Sequence, residues 1–416
     1  MKRYRSCLTA SVCLGLLTAL SACDDDHGGY YPPPPVVPTG DGAGPDGLIQ
    51  GQDGNFYGTT VSGGLNGLGT VFKITPTGTE SLVYSFAGGA ANGATPQGLV
   101  QGSDGNFYGA TSQGGSGPCQ GGCGAVFKLT PAGVQTGLYF FSGGSDGGVA
   151  NGLVQGSDGN FYGTTAYGGV TNSQCGPGGC GVVFKLTPVG IESALYSFVA
   201  GSADGALPNA SVMQGTDGNF YGTTIYGGAS NDGTAFKVTP AGVETVLHSF
   251  AGGTDGALPQ TPLTEGSDGN FYGTTPNGGV NGFGTVFKLT PAGAETVLYS
   301  FAGGTGDGAI PGTGLIQGSD GNFYGTTNSG GNSGCFNGCG VLFKITPAGA
   351  ESVLYLFTAS TGSGAQAPAP SSLIQGSDGN FYVATFNGGQ FGAGALYKIT
   401  PSGAATVLYS FGTNNP

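Results

Sequence analysis

The sequence has few of the residues that most catalytic and nucleic-acid-binding sites use. Its 416 residues include no tryptophan, only 8% charged residues and two histidines, His27 and His248. Arginine occurs only at Arg3 and Arg5. No Ser/His/Asp or Cys/His arrangement can be assembled from this set, and no histidine metal site. The sequence therefore names no catalytic residue and no metal ligand, although an acid pair for glycoside hydrolysis stays conceivable.

Positive charge is scarce throughout the chain, whose formal net charge is −13. Beyond the first five residues the only basic side chains, apart from the histidines, are seven lysines, against 23 acidic residues. A surface this acidic repels phosphate backbones and anionic lipid headgroups. We expect no nucleic-acid partner.

The N-terminus has the three parts of a bacterial export signal. Basic residues 1–5 precede a short apolar run from Cys7 to Leu20, too short to span a bilayer comfortably. The Leu20-Ser-Ala-Cys23 sequence resembles a lipobox, which implies a signal peptide at residues 1–22 and lipidation of Cys23. The alternative is an ordinary signal peptide with an incidental cysteine. We expect a protein held by its lipid in the bilayer of the cell envelope, periplasmic or on the cell surface.

Residues 23–46 have the composition of a tether. Acidic residues follow Cys23, and the run Pro32 to Pro35 favours an extended polyproline II conformation. We predict no fold for this acidic, proline-rich segment and expect it to be disordered.

Glycine and proline are abundant, at 90 and 24 residues, but they occur within a repeat. The motif D-G-N-F-Y recurs seven times, at spacings of 51 to 59 residues. A period near 50 indicates a β-propeller or a solenoid rather than ordinary domains. The motif begins at Asp53, Asp104, Asp158, Asp217, Asp268, Asp320 and Asp378.

Each repeat contains four short runs of aromatic and β-branched residues, bounded by Gly, Pro, Asn and Asp, which are typical of β-strands. Phe56 and Tyr57 are neighbours and point to opposite faces, so both faces of the sheet are apolar. Propeller blades pack on both faces. We predict an all-β, seven-bladed β-propeller of four-stranded antiparallel blades over residues 47–416. The alternative, a β-solenoid, needs roughly half this period.

The sequence leaves the mode of ring closure open, and it predicts a cross-strand ion pair in several blades. The ring could close by side-chain packing, or Val407 to Phe411 could complete the sheet of the first blade. Folding the first repeat about the turn Thr75-Pro-Thr-Gly78 places Lys73 opposite Glu80 as a cross-strand ion pair. The same pair is predicted at Lys185/Glu192, Lys237/Glu244, Lys288/Glu295 and Lys344/Glu351.

The repeat unit resembles a known family. The blocks G-S-D-G-N-F-Y-G-T-T, G-T-V-F-K-x-T-P-x-G and x-V-L-Y-S-F are similar to the GloVer tandem repeat of choice-of-anchor bacterial surface proteins, over about residues 47–411. The resemblance implies shared repeats with differing anchoring signals, and it implies no activity. The seventh repeat departs from the pattern, with Val383-Ala384 for Gly-Thr and Ala405 for Glu.

The variable segments should lie at one end of the propeller. The second-to-third loop is lengthened in the second, third and sixth repeats, and only those loops contain cysteine. In an exported protein, paired cysteines in each loop favour local disulfides, with zinc binding as the alternative. The pairs are Cys119/Cys123, Cys175/Cys180 and Cys335/Cys339.

Candidate ligand-binding residues lie on the same variable segments. Asp146, Asp204, Asp255 and Asp307 precede glycine in blade-to-blade loops, where they could bind Ca²⁺ or a cationic ligand, or cap their own turns. Beyond this Ca²⁺ candidate we expect no cofactor. Aromatic rings at one equivalent loop position could stack on sugars or fill gaps between blades. These are Tyr167, Tyr226 and Phe386.

A polar ring is predicted in the first strand of each repeat. If that strand lines the axis, its seven polar side chains either hold water or a ligand in the channel or hydrogen-bond neighbouring backbone. They are Gln50, Gln101, Gln155, Gln214, Glu265, Gln317 and Gln375.

Loops on a rigid scaffold are where binding usually resides. The sequence therefore favours a monomeric envelope binding module with a protein or polysaccharide ligand on the loop-rich end. The alternatives are a carbohydrate-active enzyme that uses carboxylates of that end and a purely structural envelope protein.

Overall fold

Seven blades of antiparallel strands form the fold in the computed structural model, which describes residues 40–412 except 333, 336 and 360–367. Each repeat forms one blade whose strands lie side by side in chain order, except that the broken inner strands of blades 4 and 6 pair in two pieces, which in blade 4 makes a separate two-stranded sheet. The first strands of neighbouring sheets contact one another, so they surround the axis and the fourth strands form the outer edges. The predicted seven-bladed β-propeller is confirmed. Cys23 and His27 lie outside the described residues.

The first three blades each consist of four strands. They are β1 (Ala43–Gln50), β2 (Phe56–Ser62), β3 (Thr70–Ile74), β4 (Glu80–Ser85), β5 (Gly93–Gln101), β6 (Phe107–Gly114), β7 (Ala125–Leu129), β8 (Gln135–Phe140), β9 (Gly148–Gln155), β10 (Phe161–Tyr167), β11 (Val182–Leu186) and β12 (Glu192–Ser197).

In blades 4, 5 and 6 some inner strands are short or broken, whereas blade 7 has four continuous strands. The remaining strands complete these four blades. They are β13 (Gly205–Ala206), β14 (Met213–Gln214), β15 (Phe220–Thr224), β16 (Tyr226–Gly227), β17 (Thr234–Val238) and β18 (Glu244–Ser249) in blade 4; β19 (Thr264–Glu265), β20 (Phe271–Thr275), β21 (Thr285–Leu289) and β22 (Glu295–Ser300) in blade 5; β23 (Gly308–Pro311), β24 (Ile316–Gln317), β25 (Phe323–Gly330), β26 (Val341–Ile345) and β27 (Glu351–Leu356) in blade 6; and β28 (Pro370–Gln375), β29 (Phe381–Thr385), β30 (Ala395–Ile399) and β31 (Ala405–Ser410) in blade 7. Single 3₁₀ turns occur at Gly176–Gly178 and Gly253–Asp255. Within the described part of the chain, no helix is long and apolar enough to cross a membrane.

Aromatic pairs of the D-G-N-F-Y motif hold neighbouring blades together. Phe56 faces Tyr382 of blade 7, with ring centroids 4.0 Å apart, and Tyr57 faces Phe107 of blade 2 at 4.3 Å. The same Tyr-to-Phe contact recurs between every pair of neighbouring blades at 3.8–4.3 Å. These rings are buried and belong to clusters that join adjacent sheets. The core therefore lies between the blades, as the two apolar faces predict.

Side chains close the ring. Strand β31 pairs with β30 and stays in blade 7, so the alternative in which it completes the first blade is wrong. Blade 7 instead contacts blade 1 through the Tyr382–Phe56 pair and through Phe72 and Phe411, at 4.9 Å. The chain ends add a polar contact, because the Tyr409 hydroxyl donates to Asp41 at 2.7 Å.

The first blade begins earlier than the predicted boundary at residue 47. Strand β1 starts at Ala43, and its partners on β2 are Ser62 for Ala43 and Thr60 for Pro45. The amide of Gly44 also donates to the Ala393 carbonyl of blade 7, at 2.9 Å. The end of the predicted tether is therefore part of the fold. Gly44, Pro45 and Gly47 are residue types that are uncommon in strands, so the sequence pattern does not predict that β1 starts at Ala43.

The predicted Lys/Glu cross-strand pairs are wrong. Strand β4 is offset by one residue, so that Lys73 lies opposite Ser81 and Glu80 lies opposite Ile74. The turn holds five residues instead of four, because Gly78 takes the left-handed conformation (φ 92°) and Thr79 extends the loop. A one-residue shift moves a side chain to the other face of a sheet. Lys73 and Glu80 therefore have different partners.

The lysines instead bind the aspartate of the D-G-N-F-Y motif. In the third blade Asp158 accepts from Lys185 at 3.0 Å, from the Tyr162 hydroxyl at 2.8 Å, and from the amide and side chain of Asn160. Six blades share this ion pair at 2.8–3.0 Å. Each aspartate thus ties the first-to-second turn to the second and third strands of its own blade.

The polar ring of the first strands hydrogen-bonds backbone, which was one of its two predicted roles. The Gln155 side chain accepts from the Ser103 amide of the preceding blade at 2.8 Å and donates to the Gly159 carbonyl of its own turn at 3.1 Å. The equivalent acceptor bond occurs in all seven blades, and in the last it runs from the Ser377 amide of blade 7 to Gln50. Glu265 takes the same place and accepts from the Thr216 amide and hydroxyl.

Candidate functional site

The second-to-third loops and the blade-to-blade connections lie at one end of the propeller, which we call the loop face. This follows from the antiparallel order of the strands, since consecutive turns alternate between the two ends of each sheet. The short first-to-second and third-to-fourth turns form the opposite end, the turn face. The turn-face turns keep the same length in every repeat, whereas the loop-face segments vary in length.

Three disulfides fix the lengthened loops. The predicted pairs Cys119–Cys123, Cys175–Cys180 and Cys335–Cys339 are all present, so the zinc alternative is wrong. The second cysteine of each pair is buried. The Cys123 carbonyl accepts from Val149 of the next blade, and the Cys180 carbonyl accepts from Leu207, both at 2.8 Å. Each of these two loops is therefore attached to its own blade and to its neighbour.

A cleft opens beside one of these disulfides, between blades 3 and 4 on the loop face. Its volume is about 630 Å³. Tyr226 projects into it with 42% of its surface exposed. The other lining residues are Gln174, Cys175, Cys180, Ala200, Gly201, Ser202, Ala206, Leu207, Gly228, Ala229, Ser230 and Asn231.

The chemistry of this cleft is neutral and polar. None of its lining residues carries a charge, and the hydrogen-bonding side chains are amides and hydroxyls. The walls are pre-formed, because the disulfide fixes one side and the Gly228 amide bonds to the Gly201 and Asp204 carbonyls on the other, both at 2.9 Å. Such a cleft can hold an uncharged ligand against one exposed aromatic ring.

The other two predicted aromatic residues are placed differently from Tyr226. Tyr167 is half-buried beside its own loop. Phe386 packs against Gly44 so closely that a Cβ atom there would lie 2.8 Å from the Phe386 ring. Phe386 therefore fills the gap between blades 7 and 1, one of the two roles that the sequence leaves open.

The predicted aspartates cap their own turns. Asp146 accepts from the Ser142 amide at 2.7 Å, and Asp307 from the Ala302 amide at 2.6 Å and the Gly308 amide at 2.7 Å. Asp204 and Asp255 accept from the equivalent amides of their loops. Their carboxylates are thus engaged by the backbone, and Ca²⁺ binding there stays a prediction.

These aspartates also belong to the outer interface between blades, where the third-to-fourth turn of one blade packs on the fourth strand of the preceding blade. A Cβ atom at Gly190 would lie 2.5 Å from the Leu138 carbonyl, so only glycine fits. At the interface of blades 2 and 3, the Tyr139 hydroxyl donates to Asp146 at 2.9 Å, and Glu192 of blade 3 lies beside both. The glutamate that was expected to pair with lysine thus faces a tyrosine and an aspartate.

Burial raises the pKa of Glu192 from its ordinary 4.5 to about 7, and the nearby Asp146 carboxylate adds to the rise. The enclosed Oε1 atom of Glu192 has no hydrogen-bond partner in the part of the chain that the structure describes. This also favours the protonated carboxyl, because a buried charge without a partner costs more free energy than a neutral group. The pKa is raised to about 7 at each of Glu80, Glu192, Glu244 and Glu351.

These four glutamates predict that stability falls as the pH rises. Between about pH 4.5 and 7 the folded chain binds more protons than the unfolded chain, so the stabilisation present below pH 4.5 is lost on the way to pH 7. Each half-exposed group contributes on the order of 1 kcal/mol or less after solvent screening. Melting temperatures at pH 5 and pH 8 measure the effect.

The matched control is the quadruple Glu→Gln variant, since blade 2 has Gln135 at this position naturally, beside Tyr84 and Asn92. The variant should lose a large part of the difference between pH 5 and pH 8, and Asp46 and Glu295, whose pKa values burial raises to about 6 and about 7, should keep the rest. If the wild-type chain is at least as stable at pH 8 as at pH 5, these carboxyls are already ionised at pH 5 in the folded chain.

At the outer interface of blades 4 and 5 a histidine replaces the tyrosine. His248 Nε2 lies 3.2 Å from both Asp255 oxygens, and Glu295 of blade 5 completes the group. The sequence predicts no histidine metal site and does not reveal this cluster. The available signal was His248 at a tyrosine position of the repeat, but Asp255 and Glu295 meet it only across two blades.

The fold and the loop face define a β-propeller built of tandem repeats, one repeat to a blade. A model of the Gloeobacter/Verrucomicrobia repeat matches residues 36–173 and 116–337. The chain belongs to this repeat family, in agreement with the motif resemblance. No curated protein sequence matches the chain.

Solved structures share the fold at low sequence identity. Virginiamycin B lyase from Staphylococcus aureus, with quinupristin bound, is similar with a TM-score of 0.58 and 14% identity, over 86% of this chain and 96% of that chain. A puromycin-hydrolyzing peptidase from Mycobacterium tuberculosis is similar with a TM-score of 0.52 and 11% identity, over 90% of this chain and 55% of that chain. At these identities the likeness concerns the fold alone. The three disulfides indicate an extracytoplasmic location.

Proposed function

We propose that the chain is an extracytoplasmic binding module that takes a neutral glycan in the cleft between blades 3 and 4. The observation that carries the proposal is the exposed ring of Tyr226 in an uncharged cleft with pre-formed walls. A rigid aromatic ring offers a large contact area at low cost in conformational entropy. Neighbouring amides and hydroxyls then fix the orientation of the ligand.

Charge supports a neutral ligand rather than an anionic one. The chain has a formal net charge of −13, and anions are repelled before they reach the loop face. Inside the cleft, Gln174 and Asn231 offer amide donors and acceptors, and Ser202 and Ser230 offer hydroxyls. Sugar hydroxyl groups are both donors and acceptors, so this lining suits them.

The lining also favours binding over turnover. General acid–base catalysis needs a titratable group within hydrogen-bond reach of the reacting atom. None of the residues that line the cleft is Asp, Glu, His or Lys. The similar lyase and peptidase structures show that this fold can hold enzymes, which makes product formation the second quantity to measure.

Binding to an array of neutral glycans tests the proposal. Tyr226→Ala should weaken the retained glycan about tenfold or more, as expected for the loss of a central aromatic contact. Tyr226→Phe should retain most of the affinity, because the ring remains. Phe283→Ala is the matched control, since Phe283 is a loop-face aromatic residue with similar exposure that lies outside the cleft.

Each alternative has its own outcome. Cleavage of a bound glycan by the purified chain would replace the binding module by an enzyme. Retention of envelope proteins but no glycan would assign the loop face to protein recognition. Glycan binding that Phe283→Ala weakens as much as Tyr226→Ala would place the ligand elsewhere on the loop face.

A further inference from the structure

The outer interface of blades 4 and 5 differs from its equivalents in one side chain. At four of the other interfaces the middle group between the glutamate and the aspartate is a tyrosine hydroxyl, as at Tyr139, Tyr196, Tyr299 and Tyr409. Here it is the imidazole of His248. A neutral imidazole has a free lone pair for a metal ion, whereas a protonated phenol is a poor ligand.

The three side chains already approach the arrangement of a metal site. One ligand atom from each of His248, Asp255 and Glu295 can be chosen so that all lie within 4.8 Å of one another. The 3.2 Å between His248 Nε2 and each Asp255 oxygen is close to the roughly 3.3 Å that separates two ligands of a tetrahedral Zn²⁺ ion.

The Glu295 carboxylate shares an unmet hydrogen-bonding need with Glu80, Glu192, Glu244 and Glu351 at the equivalent interfaces, but among these five only Glu295 has an imidazole beside it. Its Oε1 atom is enclosed and has no hydrogen-bond partner among the described residues. An enclosed carboxylate oxygen without a donor is costly unless a proton or a cation reaches it. No lysine ion pair is found at this carboxylate in the described part of the chain, because Lys288 binds Asp268 on the turn face.

We propose that His248, Asp255 and Glu295 bind one divalent transition-metal ion, with Zn²⁺ as the preferred occupant. One imidazole and two carboxylates are the nitrogen and oxygen ligands that Zn²⁺ accepts, and three protein ligands leave its fourth position open. Asp255 and Glu295 also line a cleft of about 480 Å³, together with Thr254, Val280 and Tyr299. A water molecule or a small anionic ligand can therefore complete the coordination.

The bound ion would join two blades. Asp255 follows the fourth strand of blade 4, which carries His248, whereas Glu295 begins the fourth strand of blade 5. A ligand that binds the folded chain better than the unfolded chain stabilises the fold. Zinc should therefore raise the melting temperature, and it should do so through this interface alone.

Calorimetric titration of the metal-stripped chain with Zn²⁺ tests the site. The wild type should bind one equivalent and gain thermal stability. His248→Tyr restores the repeat's own residue, so it should fold normally. It should bind Zn²⁺ at least about 100-fold more weakly, because loss of even a second-shell partner of a metal ligand costs roughly 10–100-fold in affinity. His27→Ala removes the other histidine and should leave the binding unchanged.

A gain of binding provides the sharper test. Tyr139→His recreates the cluster beside Asp146 and Glu192, so introducing it into the His248→Tyr variant should restore binding of one equivalent. The proposal is overturned if the wild type binds no zinc, or if His248→Tyr binds it as tightly as the wild type. Loss of binding in His27→Ala would assign the ion to His27 and overturn it equally.

Discussion

Phe220→Ala is expected to destabilise the folded chain by about 3–5 kcal/mol, the range for truncating a fully buried phenylalanine. Phe220 has no exposed surface, and its ring stacks on Tyr162 of blade 3 with centroids 3.9 Å apart. Its removal leaves a cavity between blades 3 and 4 that the sheets cannot fill without moving. The free energy of unfolding from denaturant titration measures the loss.

Val189→Ala is the control for this substitution. Val189 lies on a turn-face hairpin with 79% of its surface exposed, and a change there should stay within about 0.5 kcal/mol. The reciprocal Tyr162→Ala should cost a similar amount to Phe220→Ala, and the double variant should cost less than the sum because the two rings share one contact. A loss below 1 kcal/mol for Phe220→Ala would show that the blades are held mainly by their polar contacts.

Asp158→Ala is expected to destabilise the folded chain by about 2–4 kcal/mol, because one carboxylate holds several hydrogen bonds at once. The carboxylate accepts hydrogen bonds from Asn160, Tyr162 and Lys185. Alanine leaves the hydroxyl of the buried Tyr162 and the amide of the turn without this acceptor. Denaturant titration at pH 7 measures the change in the free energy of unfolding.

Lys185→Met separates the two parts of this effect. The ion pair is partly exposed, so its removal alone should cost less than about 1 kcal/mol. Asp158→Asn should fall between, because an amide keeps one acceptor oxygen but no charge. If Lys185→Met costs as much as Asp158→Ala, the ion pair rather than the turn hydrogen bonds carries the stabilisation.

The architecture could be predicted from the sequence because each local signal repeats seven times. Phe56 and Tyr57 predict two apolar faces, and the structure places them against blades 7 and 2. The confinement of paired cysteines to the lengthened loops predicts the disulfides, since only nearby partners are available in each loop. The backbone hydrogen bonds of Gln155 and its equivalents could be predicted because the first-to-second turn is nearly the same in every blade.

The partners of Lys73 and Glu80 could not be predicted, because they depend on a single residue in a turn. Left-handed Gly78 and the extra Thr79 shift the strand by one position, which no count of apolar residues reveals. The lysine then reaches Asp53 in its own blade. The glutamate lies near Asp41, which accepts from Tyr409, and closure of the ring brings these two ends of the described chain together.

The candidate site was located only in part. Sequence position groups Tyr167, Tyr226 and Phe386 as equivalent, yet only Tyr226 lines the cleft, because its neighbours in space differ. The cluster of His248, Asp255 and Glu295 is assembled from two repeats. Residues that are 40 or more positions apart become neighbours through packing of the blades, and the repeat pattern describes one blade at a time.

Closure without a shared strand has a consequence for the ancestry of such chains. Each blade is one uninterrupted stretch of sequence, and strand β31 stays with its own repeat. An unequal crossover between two copies of the coding repeat would therefore insert or delete one complete blade. No strand would be left without its partners in the sheet. In a propeller whose last strand belongs to the first blade, a crossover of this kind would have to avoid the blade that is formed from both ends of the chain. Relatives of this chain can thus be expected to differ in whole copies of the repeat.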